Sequence, residues 1–260
     1  MPHPIPRNHR EPSVFTAANL LRDARRQRFL KEETVPEVCV LDPDGDLVRH
    51  LRNGPHAERS SNWACYHTEL WLYKSAGGLI GVVGLAVGAP FSVLVAEELF
   101  ASGCRLLVSI TSAGQLRPMG TPPYFVLIKK ALRDEGTSGH YLPTSLWSTL
   151  PTALADFTKQ ALLALPFPVH EGASWTTDAP FRETNEAITA ATLLGADLVE
   201  MEAAALYAFG EASGNPILCF AQVTNEMAMR EGDFDKGDKD GATDLLSLIS
   251  ELNLTWRKWK

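Results

Sequence analysis

The run LIGVVGLAVGAPFSVLVAEELFASGCRLLVSITSAG, Leu79 to Gly114, decides the fold. It opens with an apolar, β-branched stretch of strand length, Leu79–Val87. Glycine then gives way to Pro90, a proline that suits the first turn of a helix running to Ala101. A second apolar strand follows, Arg105–Ile110, and ends in the polar segment TSAGQ, Thr111–Gln115. Strand, helix, strand is the unit from which α/β layer folds are built.

The same alternation continues on both sides. Apolar strand-length runs recur at Glu37–Leu41, Tyr124–Leu132 and Pro216–Thr224, and helical patterns at Leu150–Leu163, Asn185–Leu194, Glu202–Ala212 and Ala242–Leu252. Alternating strands and helices imply a single-domain α/β fold with a mixed, mostly parallel central sheet flanked by helices. The polar N-terminal arm, residues 1–36, carries one helix from Thr16 to Leu30, and residues 37–260 form the domain proper. No repeat or linker marks another boundary.

Composition excludes several classes. A formal net charge of -7 argues against a nucleic-acid binder, which needs a basic footprint. The basic run Arg22–Lys31 reads as the solvated face of the arm's helix. Cys39, Cys65, Cys104 and Cys219 show no CxxC spacing, which points to no zinc or redox motif and suits a reducing, cytoplasmic compartment. The N-terminus lacks an apolar signal-peptide core. The uncharged run Ala76–Ala96 is long enough to cross a bilayer, but Gly77, Gly78, Gly81, Gly84, Gly88 and Pro90 break it into strand, turn and helix. Those glycines also miss the G-x-G-x-x-G spacing of a dinucleotide site.

In an α/β sheet, ligands bind where strands end. Three polar sets lie at such ends: Thr111–Gln115, Thr224–Glu226, and the EME of LVEMEAAALYAFG, Leu198–Gly210. The first offers hydroxyls and backbone amides to an anion or a sugar oxygen, or is an ordinary turn. Glu200 and Glu202 are two apart, so they point in different directions whether the chain is extended or helical. Only one faces the crevice, and the other suits the positive start of a helix. A carboxylate there accepts hydrogen bonds from a vicinal diol while Met201 packs on the sugar ring. The segment Ser174–Thr184 reads as a polar loop whose Trp175 and Phe181 either stack a base or anchor the loop.

Several of these runs, taken in order, resemble the type I nucleoside phosphorylases. GAPFSVLVAEELFASGCRLLVSITSAGQL (88–116) is similar to that family's VAEEL helix, strand and GSAG or GTTG loop, and LVEMEAAALYAFG to its EMEAA segment. ALRDEGTSGHYLP (131–143) and YHTEL (66–70) resemble segments of its uridine phosphorylase branch. The resemblance covers residues 37 to 252. It implies a partly barrel-like mixed sheet and cleavage of the N-glycosidic bond of a nucleoside by phosphate, with free base and pentose 1-phosphate as products. It implies no cofactor beyond phosphate as co-substrate, no nucleic-acid or membrane partner, and a homo-oligomer, a dimer or a hexamer of dimers.

Carried over residue by residue, Glu202 holds the ribose hydroxyls with Met201 at the ribose face, and Ser112 binds phosphate. Gly45 and Arg49 keep the spacing of the phosphate-binding GDPxR but are displaced within LDPDGDLVR. The neighbouring-subunit arginine falls near Asn62, with Arg59 close by, and the arginine three residues before the loop hydroxyl is Ser109. The base lies near Ala113, Gly114, Phe181, Arg182 and Asn225, where purine-handling members carry an aspartate. Asn225 hydrogen-bonds a base but cannot act as an acid toward it. The missing arginines make hydrolysis by water the alternative, and a non-catalytic nucleoside-binding protein the next. His3 and His9 of the arm are candidates to reach a neighbouring site.

Overall fold

The computed structural model of the chain describes residues 7–227, 236 and 241–259. The arm contributes α1 (Ala17–Arg28). Then come β1 (Val38–Asp42), α2 (Asp46–Arg52), β2 (Ala57–Arg59), β3 (Leu70–Ser75), β4 (Gly78–Gly84), α3 (Ala89–Ala101) and β5 (Leu106–Gln115). The second half holds β6 (Tyr124–Asp134), α4 (Ser138–Tyr141), β7 (Trp147–Thr149), α5 (Ala155–Leu163), β8 (Val169–Thr177) and α6 (Asn185–Leu194). It ends with β9 (Leu198–Glu200), α7 (Ala203–Ser213), β10 (Ile217–Asn225) and α8 (Ala242–Trp259).

All ten strands join one sheet, in the order β10-β6-β8-β9-β5-β1-β4-β3-β2, with β7 on β6. A further pairing of β10 with β5 closes β5, β10, β6, β8 and β9 into a barrel. Its longest ladders, β6–β8 and β5–β10, are parallel, while β5–β9 and β6–β10 are antiparallel. Strands β1, β4, β3 and β2 extend the barrel as an open wing.

Local chemistry sets the element ends. The Thr16 hydroxyl accepts the Asn19 N–H at 3.3 Å and caps α1. The Thr184 hydroxyl caps α6 in the same way, and Gly195 ends that helix in the left-handed region. Along α7 every residue from Ala203 to Gly210 is buried. The small side chains of Ala203, Ala204 and Ala205 let the helix lie close to its neighbours, and Tyr207 locks it down. Its hydroxyl donates to the Ile128 carbonyl and accepts the Cys219 N–H at 3.1 Å, joining β6 to β10.

The arm folds onto this body. Leu21 and Ala24 of α1 pack with Ala64, and the Val35 N–H donates to the Ser102 carbonyl at 2.9 Å. The Arg22–Arg26 face is exposed and carries ion pairs to Asp23. All four cysteines are free and buried. Among the described residues no helix is long and apolar enough to cross a membrane.

Several boundaries differ from the sequence reading. TSAGQ is not a loop: β5 continues to Gln115 because Gly114 and Gln115 pair with Val199 and Leu198. Nor is Ser174–Thr177 a loop. It is the end of β8, where Trp175 is buried and donates its indole N–H to Asp134 at 2.9 Å. Trp175 is therefore a core anchor and not a base-stacking ring. The strand at Leu79 ends at Gly84, helix α5 begins only at Ala155, and α8 runs on to Trp259.

Candidate active site

Four chain segments converge beside the middle of β5: the turn after β1, the loop before α3, the β9–α7 junction and the end of β10. Glu202 stands at the N-cap of α7 and is 1% exposed. Its Oε1 accepts the Gly88 N–H at 2.7 Å. Gly88 reaches it with φ +87, a conformation that favours glycine. Oε2 is buried without a hydrogen bond of ordinary geometry, although the Thr111 hydroxyl is close enough to favour its charge. Burial first, and the Glu200 carboxylate second, push the Glu202 acid up to about 8.

Glu200 faces the other way. Its carboxylate accepts the N–H groups of Glu202 and Ala203, each at 2.7 Å, and the Thr176 hydroxyl. The same hydroxyl oxygen accepts the Ala204 N–H at 3.0 Å. Glu200 and Thr176 together satisfy the orphan amides at the start of α7. The two acids differ: Glu200 caps the helix, and Glu202 has a buried oxygen without a hydrogen-bond partner among the described residues. Met201 between them is half-buried.

The turn after β1 differs most from the expected phosphate site. Ser112 is there, but its N–H donates to Asp44 Oδ2 at 2.7 Å. The amide expected to receive an anion is thus occupied by the chain's own carboxylate. Asp42 and Asp46 flank it. Asp42 accepts the Val48 N–H at 2.9 Å, and burial pushes its acid up to about 7. Gly45, at φ +76, starts α2 in a conformation that favours glycine.

The expected cations are already paired with acids of the chain. Arg49 donates to the Asp44 carbonyl at 3.0 Å and pairs with Asp46, which also holds Lys236. The Lys236 ammonium stands 4.0 Å from Asp44. Arg59 shares Glu69 with Arg52 at the rim of a cavity of about 390 Å³. Ser109 is buried, with its hydroxyl oxygen unpartnered among the described residues.

At the far end Asn225 pairs with Gly114 across the β5–β10 ladder and is buried. Its Nδ2 donates to the Thr224 hydroxyl at 3.2 Å, and its Oδ1 accepts the Met227 N–H at 2.9 Å. A Cβ on Gly114 would lie 2.6 Å from Met227 Sδ and 3.3 Å from Asn225 Oδ1. Gly114, Asn225, Val199 and Met227 therefore form one tight wall, while Ala113, the next residue on β5, points to the opposite face and packs in the main core. Phe181 and Arg182 sit on a short 3-10 turn beyond β8, the strand whose Thr176 touches Glu200. The Phe181 ring is 100% exposed and is not packed against the other candidates. His9 contacts the Gly139 carbonyl of its own chain at 3.2 Å, and His3 lies outside the described residues.

Sequence reasoning missed Asp44, Gly88, Thr111 as a neighbour of Glu202, Thr176 and Met227. Only Asp44 carried a usable signal, an acid two residues past a buried strand. The others depend on contacts made across the sheet.

The sequence model of the phosphorylase superfamily matches residues 38–252. An uncharacterized protein of Acanthamoeba polyphaga mimivirus is 27% identical over 169 residues, which span 65% of this chain and 63% of that protein's length. The crystal structure of purine nucleoside phosphorylase from Toxoplasma gondii, in complex with immucillin-H, superposes with a TM-score of 0.74 at 17% identity, covering 89% of this chain and 95% of that one. Uridine phosphorylase from Vibrio fischeri, complexed with 6-hydroxy-1-naphthoic acid, gives 0.73 at 18% identity, covering 90% and 99%. At such identities the likeness is one of fold: a single α/β domain with a sheet partly closed into a barrel and flanked by helices. With four-fifths of its length matched by the family's own sequence pattern, this chain belongs to the phosphorylase superfamily.

Proposed function

We propose that this protein cleaves the N-glycosidic bond of a nucleoside, with water as the nucleophile. Glu202 grips the ribose hydroxyls through its free Oε2, Met201 packs on the ribose, and the base lies along Gly114 and Asn225. The single observation that carries the choice of water is the 2.7 Å hydrogen bond from the Ser112 amide to Asp44. A phosphate dianion at that amide would displace one carboxylate and sit among two more. The cations beside this turn, Arg49 and Lys236, are already paired with Asp46, so a phosphate there would lack the arginine contacts that stabilise it.

A water molecule fits the same geometry. It attacks the anomeric carbon, the C–N bond breaks with its electron pair going to the base, and the water's proton passes to the Asp44 carboxylate. The departing base takes a proton from solvent, since Asn225 has none to give as an acid. The products are free base and pentose.

Phosphorolysis, giving pentose 1-phosphate, is the second reading. It is favoured by Lys236 and Arg49, both beside the same turn and able to swing toward an anion. Following base release from purine and pyrimidine nucleosides with and without phosphate separates the two. Phosphate-independent release, lost in Asp44→Asn, supports hydrolysis. Release only with phosphate establishes phosphorolysis. Binding without release would make the chain a nucleoside-binding protein.

A further inference from the structure

We propose that Glu200 is a positioning residue for the ribose clamp: it fixes the start of α7 and holds the negative charge of the buried Glu200–Glu202 pair, so that Glu202 keeps a proton on Oε2 in the empty site. This rests on the assignment of Glu202 as the ribose ligand.

The hydrogen bonds place the charge. Both acids are buried within one turn of chain, where two carboxylates are much costlier than a carboxylate and a carboxylic acid. The Glu200 oxygens receive three donors: the Glu202 and Ala203 amides and the Thr176 hydroxyl. They also lie at the positive end of α7. Glu202 receives one backbone donor, from Gly88, and has a buried Oε2 to spare. Burial raises both acids, but hydrogen-bond donors oppose it more at Glu200, so the charge settles on Glu200 and the proton on Glu202.

Of the other groups that act on Glu202, the Thr111 hydroxyl on β5 favours its charge, whereas Asp44 after β1 adds a second negative charge and Cys219 on β10 is a buried thiol pushed well above its ordinary range. Among the described residues neither acid forms an ion pair, and Lys236 offsets part of the Asp44 charge from 4.0 Å. The consequence is functional. The first ribose hydroxyl meets an acid that donates as well as accepts, and Glu200 sets both its position and its protonation.

The test is a carbon-13 NMR titration of glutamate carboxyl groups in the full chain, with Glu202→Gln used for assignment. Glu202 should titrate far above an ordinary glutamate. In Glu200→Gln its midpoint should fall by about one pH unit or more, since the neighbouring charge is gone. If that variant does not fold, Thr176→Val serves. Removing the hydroxyl weakens the hold on the Glu200 charge and lowers the Glu202 midpoint, while Thr176→Ser restores it. An unchanged Glu202 midpoint in a folded variant, or a wild type in which Glu200 carries the proton, overturns the proposal. The titration needs no turnover, so it decides this point even if no nucleoside is cleaved. Base-release kinetics on the same variants decide the function separately.

Discussion

Glu202→Gln changes one functional atom. The side-chain carbonyl can still accept the Gly88 N–H, held at 2.7 Å in the native chain, so the loop before α3 stays in place. What changes is Oε2, the buried oxygen left for the ligand, which becomes an NH₂ group. A protonated Oε2 both donates and accepts, whereas an amide NH₂ only donates, so one neutral hydrogen bond worth about 0.5–1.5 kcal/mol is lost and kcat/KM should fall by about 2- to 12-fold. Base release would be measured on a ribonucleoside and on its 2′,3′-dideoxy counterpart. The dideoxy substrate has no hydroxyl for Oε2 to bind and should be nearly indifferent to the change. Equal losses on both substrates would refute the placement of ribose at Glu202, because the defect would then lie in folding or chemistry.

Other outcomes follow from the same contacts. Gly88→Ala puts a side chain where φ is +87 and disturbs the backbone donor to Glu202. It should cost about 1–3 kcal/mol of stability by thermal melting and lower activity further. Gly114→Ala brings a methyl group 2.6 Å from Met227 Sδ, the flexible end of a side chain, but 3.3 Å from both Asn225 Oδ1 and Val199 Cγ1. It should melt within a few degrees of wild type yet raise KM for the nucleoside, and an unchanged KM would remove Gly114 from the base wall. Asp42 and Glu202, raised to about 7 and 8, keep protons in the folded chain that the unfolded chain loses in the ordinary carboxylate range. Stability should therefore fall as pH rises from about 4 toward 8, with a smaller fall in Asp42→Asn. Calorimetric Tm values that stay flat across that window would contradict it.

The legible parts of the fold were those in which chain neighbours also decide the structure. Pro90 behind a glycine turn and the apolar run after it fixed α3 and most of β5. EMEAAALYAFG marked a helix whose residues Ala203 to Gly210 are all buried. Strand β8 escaped because VHEGASWTT mixes charge, glycine and hydroxyls, and its burial comes from β6 and β9 on either side. At three residues, β9 is too short to show any periodicity. In the candidate site, the distinctive segments around Glu202 and Ser112 drew attention to residues that the fold brings to one region. The reversal at Ser112 could not be read, since it depends on Asp44, 68 residues away, turning its carboxylate onto a strand amide. The pairing of Asn225 with Gly114 likewise exists only once β10 closes the barrel.

The choice between water and phosphate is the central claim, and oxygen isotopes test it most directly. The wild-type chain would be incubated with a nucleoside and phosphate in water enriched in oxygen-18, and the sugar product analysed by mass. Asp44 on the Ser112 amide leads to free pentose carrying oxygen-18 from solvent at its anomeric carbon, formed at a rate that added phosphate does not raise. Because a free pentose slowly exchanges that oxygen, the label must be read at early times against a pentose control. Pentose 1-phosphate without solvent oxygen at the anomeric carbon, formed in proportion to phosphate, would contradict it.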